Sequence, residues 1–241
     1  MSEIFDFFKE YYFLFLFAII SFIAILLVSK FYRIKFFYLF FGYLGLIFLS
    51  TMIIFLVNFF FKYEKLMEIG SAPSFSLTNQ DGKTISNEDL KGKVHVVEFF
   101  FSTCPTICPI MNQNMLKIEK EFLNHDDFGI VSITINPDYD TSEVLKKHAE
   151  HLGVQHKNWH FLTGEQSYIY EIANKGFNLY AAENNKAKGG FEHSGFFALI
   201  DKNGNIRCRK DDFGNPILYY DGLEEPGVNA IKEDIKLLLE E

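Results

Sequence analysis

The chain has 241 residues, 23 basic against 31 acidic side chains and a formal net charge of −8. That length admits one or two domains. Residues 1–61 hold four basic and three acidic side chains, leaving 19 against 28 for 62–241; so acidic a remainder repels phosphate backbones, which argues against a nucleic-acid partner, and suits a basic partner or a cation.

Of the 29 Phe, 17 fall within the first 61 residues. Residues 11–29 and 36–61 are stretches of 19 and 26 residues without a charge. At about 1.5 Å per residue each is long enough to cross a hydrocarbon core of about 30 Å. The start is acidic (Glu3, Asp6, Glu10 against Lys9) and no Ala-x-Ala site follows, so neither a signal peptide nor a mitochondrial transit peptide fits. The expectation is a two-helix transmembrane hairpin anchoring the chain to membrane lipid. Its linker carries Lys30, Arg33 and Lys35 and no acid, which places it in the cytoplasm and both chain ends outside. The remainder then faces the periplasm of a bacterial inner membrane, where paired cysteines are oxidised or kept reduced for a purpose.

Residues 62–73 read as a charged linker and 74–241 as the folded domain. Residues 75–78 and 83–86 flank an Asp81-Gly82 turn and predict a β-hairpin; 87–92 is a helical turn closed by glycine. The apolar run from Val94 reads as a buried parallel strand. It ends in Cys104 and Cys108, each followed by proline, and Pro109 suits the first turn of a helix. Met111, Met115, Ile118 and Phe122 give that helix one apolar face. A strand over 128–135 follows, then a helix over 141–152, with Asp140 and Glu143 in the capping-box pattern. Residues 159–164 predict a strand, 166–175 a helix, 184–190 a polar loop, and 196–200 with 205–209 a hairpin. Residues 211–227 look like an excursion before a last helix over 228–240. Strands alternating with helices, closed by a hairpin and a helix, predict an α/β thioredoxin-like domain.

Three chemistries fit two thiols four residues apart outside the membrane: an inert disulfide, thiol–disulfide exchange, or binding of a soft metal. A helix start favours the thiolate. Copper(I) accepts two thiolates and an imidazole, whereas structural zinc asks for four protein ligands. Among seven histidines, His95 lies inside the buried strand and reads as structural. His125, His148, His151 and His156 read as solvated, and His160, beside Trp159, as core. His193 follows a glycine-rich loop and precedes a strand expected beside the first, so it is positioned to hang over the cysteines, although loop histidines are mostly just exposed. Glu192 reads as a solvated loop acid, since carboxylates suit harder ions. Cys208 alternates in phase with Ile206 and reads as a buried, inert thiol.

The stretch Phe101-Ser-Thr-Cys104-Pro-Thr-Ile-Cys108-Pro resembles the metal-binding signature of the SCO/SenC family, copper chaperones for cytochrome c oxidase. Asn136-Pro-Asp-Tyr-Asp140-Thr141, Trp159-His-Phe-Leu-Thr-Gly164 and His193-Ser194 are similar to that family's later blocks, in the same order. The resemblance covers about residues 72–240. It implies a membrane-tethered thioredoxin-like carrier, not an enzyme, binding one copper, Cu(I) or Cu(II), through Cys104, Cys108 and His193. The implied recipient is the dinuclear copper centre of cytochrome c oxidase subunit II. The alternative is a membrane-bound thiol–disulfide oxidoreductase whose Cys104–Cys108 pair reduces oxidase, cytochrome or other periplasmic copper or thiol proteins. Against it, three residues rather than two separate the cysteines, and Gly189–Phe197 has no proline facing them. Asn136 stands where the family often has an acid, and two membrane helices are expected here where most members have one.

Overall fold

The computed structural model describes residues 36–61, 66–184, 186–211 and 213–241. The chain divides into two compact units, Met1–Lys65 and Leu66–Glu241. The first expected span, 11–29, lies outside the described residues. The second is helix α1, Phe36–Phe61, 26 residues without a charge. Its side chains are described over 40–56, about 26 Å of helix at about 1.5 Å per residue. Among the described residues no helix is long and apolar enough to cross a membrane, so the expected two-helix hairpin has no support there.

The second unit is a mixed sheet covered on both faces. Its elements in order are β1 (Met67–Ser71), β2 (Ser76–Asn79), β3 (Thr84–Ser86), α2 (Asn87–Leu90), β4 (Val94–Phe100), α3 (Cys108–Phe122), β5 (Phe128–Thr134), α4 (Ser142–Leu152) and β6 (Trp159–Thr163). Then come α5 (Gln166–Glu171), a π-helical continuation (Ile172–Phe177), β7 (Ala181–Glu183), β8 (Phe191–His193), β9 (Phe196–Ile200), β10 (Asn205–Lys210), β11 (Pro216–Ile217), β12 (Tyr220–Asp221) and α6 (Glu225–Glu240). The main sheet runs β1-β10-β9-β4-β5-β6-β2-β3, with β11 on β10 and β12 on β9, while β7 and β8 pair separately. β4, β5 and β6 are parallel and β9 lies antiparallel beside β4. Every residue of β4 and β5 is buried, which is why both read as mostly apolar runs, broken only by His95, Glu98, Ser132 and Thr134, rather than as alternations. Phe99 meets Phe177 on one side, while Phe100 stacks on His148 of α4 and meets Phe161 on the other.

Four differences from expectation have physical causes. Within the expected linker, Met67–Ser71 is a strand on β10, with Met67 opposite Cys208; its partner lies far along the chain, where local pattern cannot reach. Helix α4 is capped by Thr141, whose Oγ1 accepts from Val144 N–H at 3.4 Å, not by Asp140, whose carboxylate is engaged elsewhere. The excursion over 211–227 doubles back as β11 and β12. It is pinned by Tyr220, whose hydroxyl donates to buried Asp234 at 2.6 Å, the same carboxylate that Arg209 engages. Helix α6 begins earlier than expected because Pro226 sits in its first turn, where a fixed φ costs nothing.

Candidate metal centre

Strand β4 delivers the chain to a loop at the end of the parallel sheet. Cys104 closes a turn there, its N–H donating to Phe101 O at 3.2 Å. Cys108 opens α3 behind the backbone of Ile107, with Pro109 in the first turn. His193 arrives from β8, whose pairing sets it opposite Ala181. The ligand-capable atoms of Cys104, Cys108 and His193 all lie within 4.8 Å of one another, and all three residues are buried. His193 Nε2 is 3.0 Å from Cys108 Sγ.

The ring orientation follows from its other nitrogen. His193 Nδ1 lies 2.9 Å from Ser194 O. A carbonyl only accepts, so Nδ1 carries the proton and Nε2 presents a lone pair to the sulfurs. The ring stands edge-on to Phe101 at 6.0 Å, and Phe101 tilts against Phe191. Gly189 is held against the cysteine loop: at φ +92, a Cβ there would lie 3.0 Å from both Phe101 Cε2 and Pro105 Cδ.

The two thiols differ. Cys104 is held far below the ordinary thiol range, at about 3, first by its hydrogen bond with Cys108 and then by the backbone N–H groups of Cys108 and Thr106, acting against burial. Cys108 moves up, because it is the donor in that pair and because it is buried. The helix start thus favours a thiolate as expected, but on Cys104, onto which the free N–H groups point.

A trigonal ion with bonds of about 2.0–2.3 Å needs donors roughly 3.7–4.0 Å apart. The observed group meets that spacing with sub-ångström adjustment, Cys108 and His193 parting slightly. Two thiolates and one imidazole are soft donors, and the described residues offer no other such group.

The remaining candidates lie elsewhere. His95 is buried with Nδ1 3.2 Å from Lys93 O, as the strand position implied. His156, expected to be solvated, is buried: Nδ1 accepts from Asn158 N–H at 3.1 Å and Nε2 donates to His125 O at 3.2 Å. His160, expected in the core, is half-buried, pointing from the face opposite Trp159. Cys208 is buried in β10 outside the group. Glu192 is exposed. The supporting residues Ser102, Thr134 and Asp140 escaped sequence reasoning, and only the Asn136–Asp140 block hinted at them.

A thioredoxin-like sheet with two thiols and an imidazole converging at a strand-to-helix junction defines a class of soft-metal or thiol-exchange domains. Residues 67–225 match the SCO1/SenC family model, and the chain belongs to the SCO1/SenC family. The SCO1 protein homolog of Bacillus subtilis (strain 168) is 34% identical over 164 residues, 67% of this chain and 79% of its own. Among solved structures, the chain is similar to BsSco, a member of the Sco family of cytochrome c oxidase assembly proteins in which a disulfide switch was identified. The TM-score is 0.59 and the identity 32%, covering 73% of this chain and 97% of that one. Copper-bound yeast Sco1 gives a TM-score of 0.50 at 25% identity, covering 69% and 88%.

Proposed function

We propose that this protein is a membrane-tethered copper chaperone. It holds one Cu(I) through Cys104, Cys108 and His193 and delivers it to the dinuclear copper centre of cytochrome c oxidase subunit II. One observation carries the reading: two sulfurs and an imidazole lone pair converge within 4.8 Å of one another on three buried residues. The copper-bound yeast relative and the oxidase-assembly role of the Sco family support it. What supports the tether is the sequence alone, in the uncharged stretches 11–29 and 36–61.

Binding needs the reduced pair. Cys104 offers a thiolate already; Cys108 releases its proton as copper takes its place between sulfur and ring. Transfer then proceeds by stepwise exchange of thiolate or imidazole for a recipient's ligands. If the two thiolates instead pass two electrons to a partner disulfide, they join as Cys104–Cys108 and both sulfur donors are withdrawn, so redox poise gates release.

A second reading, thiol–disulfide exchange with oxidase or other periplasmic partners, is favoured by the low-lying Cys104 thiolate beside a protonated Cys108. One experiment separates the two. The reduced full-length chain in detergent micelles is titrated with Cu(I) against a competing chelator, beside His193→Ala. One-to-one binding that weakens at least about 100-fold in the variant supports the chaperone, since loss of an outer partner alone costs about 10- to 100-fold. Absence of binding, with rapid reduction of a disulfide substrate, supports exchange.

A further inference from the structure

Asp140 is fully buried, and its partners among the described residues are hydroxyl and N–H groups rather than a cation. One carboxylate oxygen accepts from Ser102 N–H at 3.0 Å and from the Thr134 hydroxyl; the other accepts from the Ser102 hydroxyl. Thr134 Oγ1 in turn accepts from Asn136 N–H at 3.0 Å, and Ile135 N–H donates to Phe100 O at 2.8 Å, joining the ends of β4 and β5. Burying a carboxylate is costly unless its oxygens are satisfied, and helix capping, which Thr141 performs, does not explain it. The geometry puts this knot two residues before Cys104.

We propose that Asp140 is a positioning residue for the metal site, holding Ser102 so that Cys104 leaves β4 on the path that meets Cys108 and His193. This rests on the chaperone reading above. Cys108 stands on α3 and His193 on β8, so each is held independently of the knot. Only Cys104 hangs from it. A carboxylate suits the role because both oxygens must accept; an amide would turn an NH2 toward a donor. Metal sites tolerate about half an ångström of error before affinity falls, so the residue that hangs from Ser102 has to be held.

The test measures Cu(I) affinity of the reduced full-length chain in micelles for Asp140→Asn and Ser102→Ala, alone and combined with Cys104→Ser or Cys108→Ser. Asp140→Asn is expected to weaken binding about 10- to 100-fold, with a smaller loss in Ser102→Ala, which removes one arm and carries the test if Asp140→Asn does not fold. In the Cys104→Ser background the Asp140 change should add nothing, while in Cys108→Ser its effect should persist. Equal losses in both backgrounds would mean a general structural role and overturn the inference, as would wild-type affinity in Asp140→Asn and Ser102→Ala. Failure of the unmodified chain to bind Cu(I) would overturn the chaperone reading and this inference with it; unchanged binding in the variants overturns only the inference.

Discussion

Cys108 Sγ carries one proton with two acceptors in reach: His193 Nε2 at 3.0 Å and the Cys104 thiolate, which takes the hydrogen bond. The Cys108 proton therefore stabilises negative charge on its neighbour, the largest cause of the low Cys104 value. In the reduced, metal-free chain Cys104 should react with iodoacetamide at a rate nearly flat from pH 5 to 8. An ordinary thiol's rate would rise about tenfold per pH unit up to its pKa near 8.5. Replacing Cys108 with Ala should restore a rising profile. Peptide mapping by mass spectrometry reads both, and a steep wild-type profile would remove the thiolate assignment.

The cysteine pair was readable in the sequence because its signature is local: an apolar run, two cysteines at helical spacing and a proline at a helix start. His193 was reachable only through topology, the hairpin of β9 and β10 placing β9 beside β4. The knot behind Cys104 was not readable, since Ser102 and Asp140 are 38 residues apart. Asp140 and Thr141 are both able to cap, and pattern cannot say that the first is already occupied. Strand β7 is three residues long and β1 pairs only with distant β10, so neither carries a period that could be counted.

Two buried groups on β4 titrate in opposite senses. Burial lifts Glu98 from 4.5 to about 7, against the pull of the Ser132 hydroxyl. The folded chain thus keeps a proton that the unfolded chain loses above pH 4.5. Its stability contribution is full below pH 4.5 and is lost as pH rises towards 7, by up to about 3 kcal/mol at 1.36 kcal/mol per unit. Glu98→Gln stands in for the protonated acid. Denaturant unfolding should give it wild-type stability near pH 4.5 and greater stability than wild type at pH 8; parallel pH curves would refute the buried-acid account.

His95 does the reverse. Burial depresses it from 6.5 to about 4, only partly offset by its contact with the Lys93 carbonyl. The folded ring stays neutral while the unfolded chain protonates, so stability is full above pH 6.5 and is lost as pH falls towards 4. Between pH 4.5 and 6.5 the two groups oppose one another. Relative to wild type, Glu98→Gln should therefore gain stability as pH rises through that window and His95→Gln should lose it. Slopes of the same sign in the two variants would show that one of these groups is not the titrating one.

Gly189 and Gly190 separate backbone strain from contact. Both have positive φ, +92 and +85, but a Cβ at Gly190 meets nothing within 4 Å, whereas one at Gly189 meets Phe101 and Pro105 at 3.0 Å. An L side chain in this region costs roughly 1–2 kcal/mol at either position. Only at Gly189 must the loop also back away from the ring that stands edge-on to His193 and from the proline that follows Cys104. Gly189→Ala and Gly190→Ala should lose similar stability in chemical unfolding. Gly189→Ala alone should weaken Cu(I) binding, by about tenfold or more, because displacing a group that orients a metal ligand costs on that scale. Equal Cu(I) affinities in the two variants would mean that the 184–190 loop does not hold His193 over the cysteines.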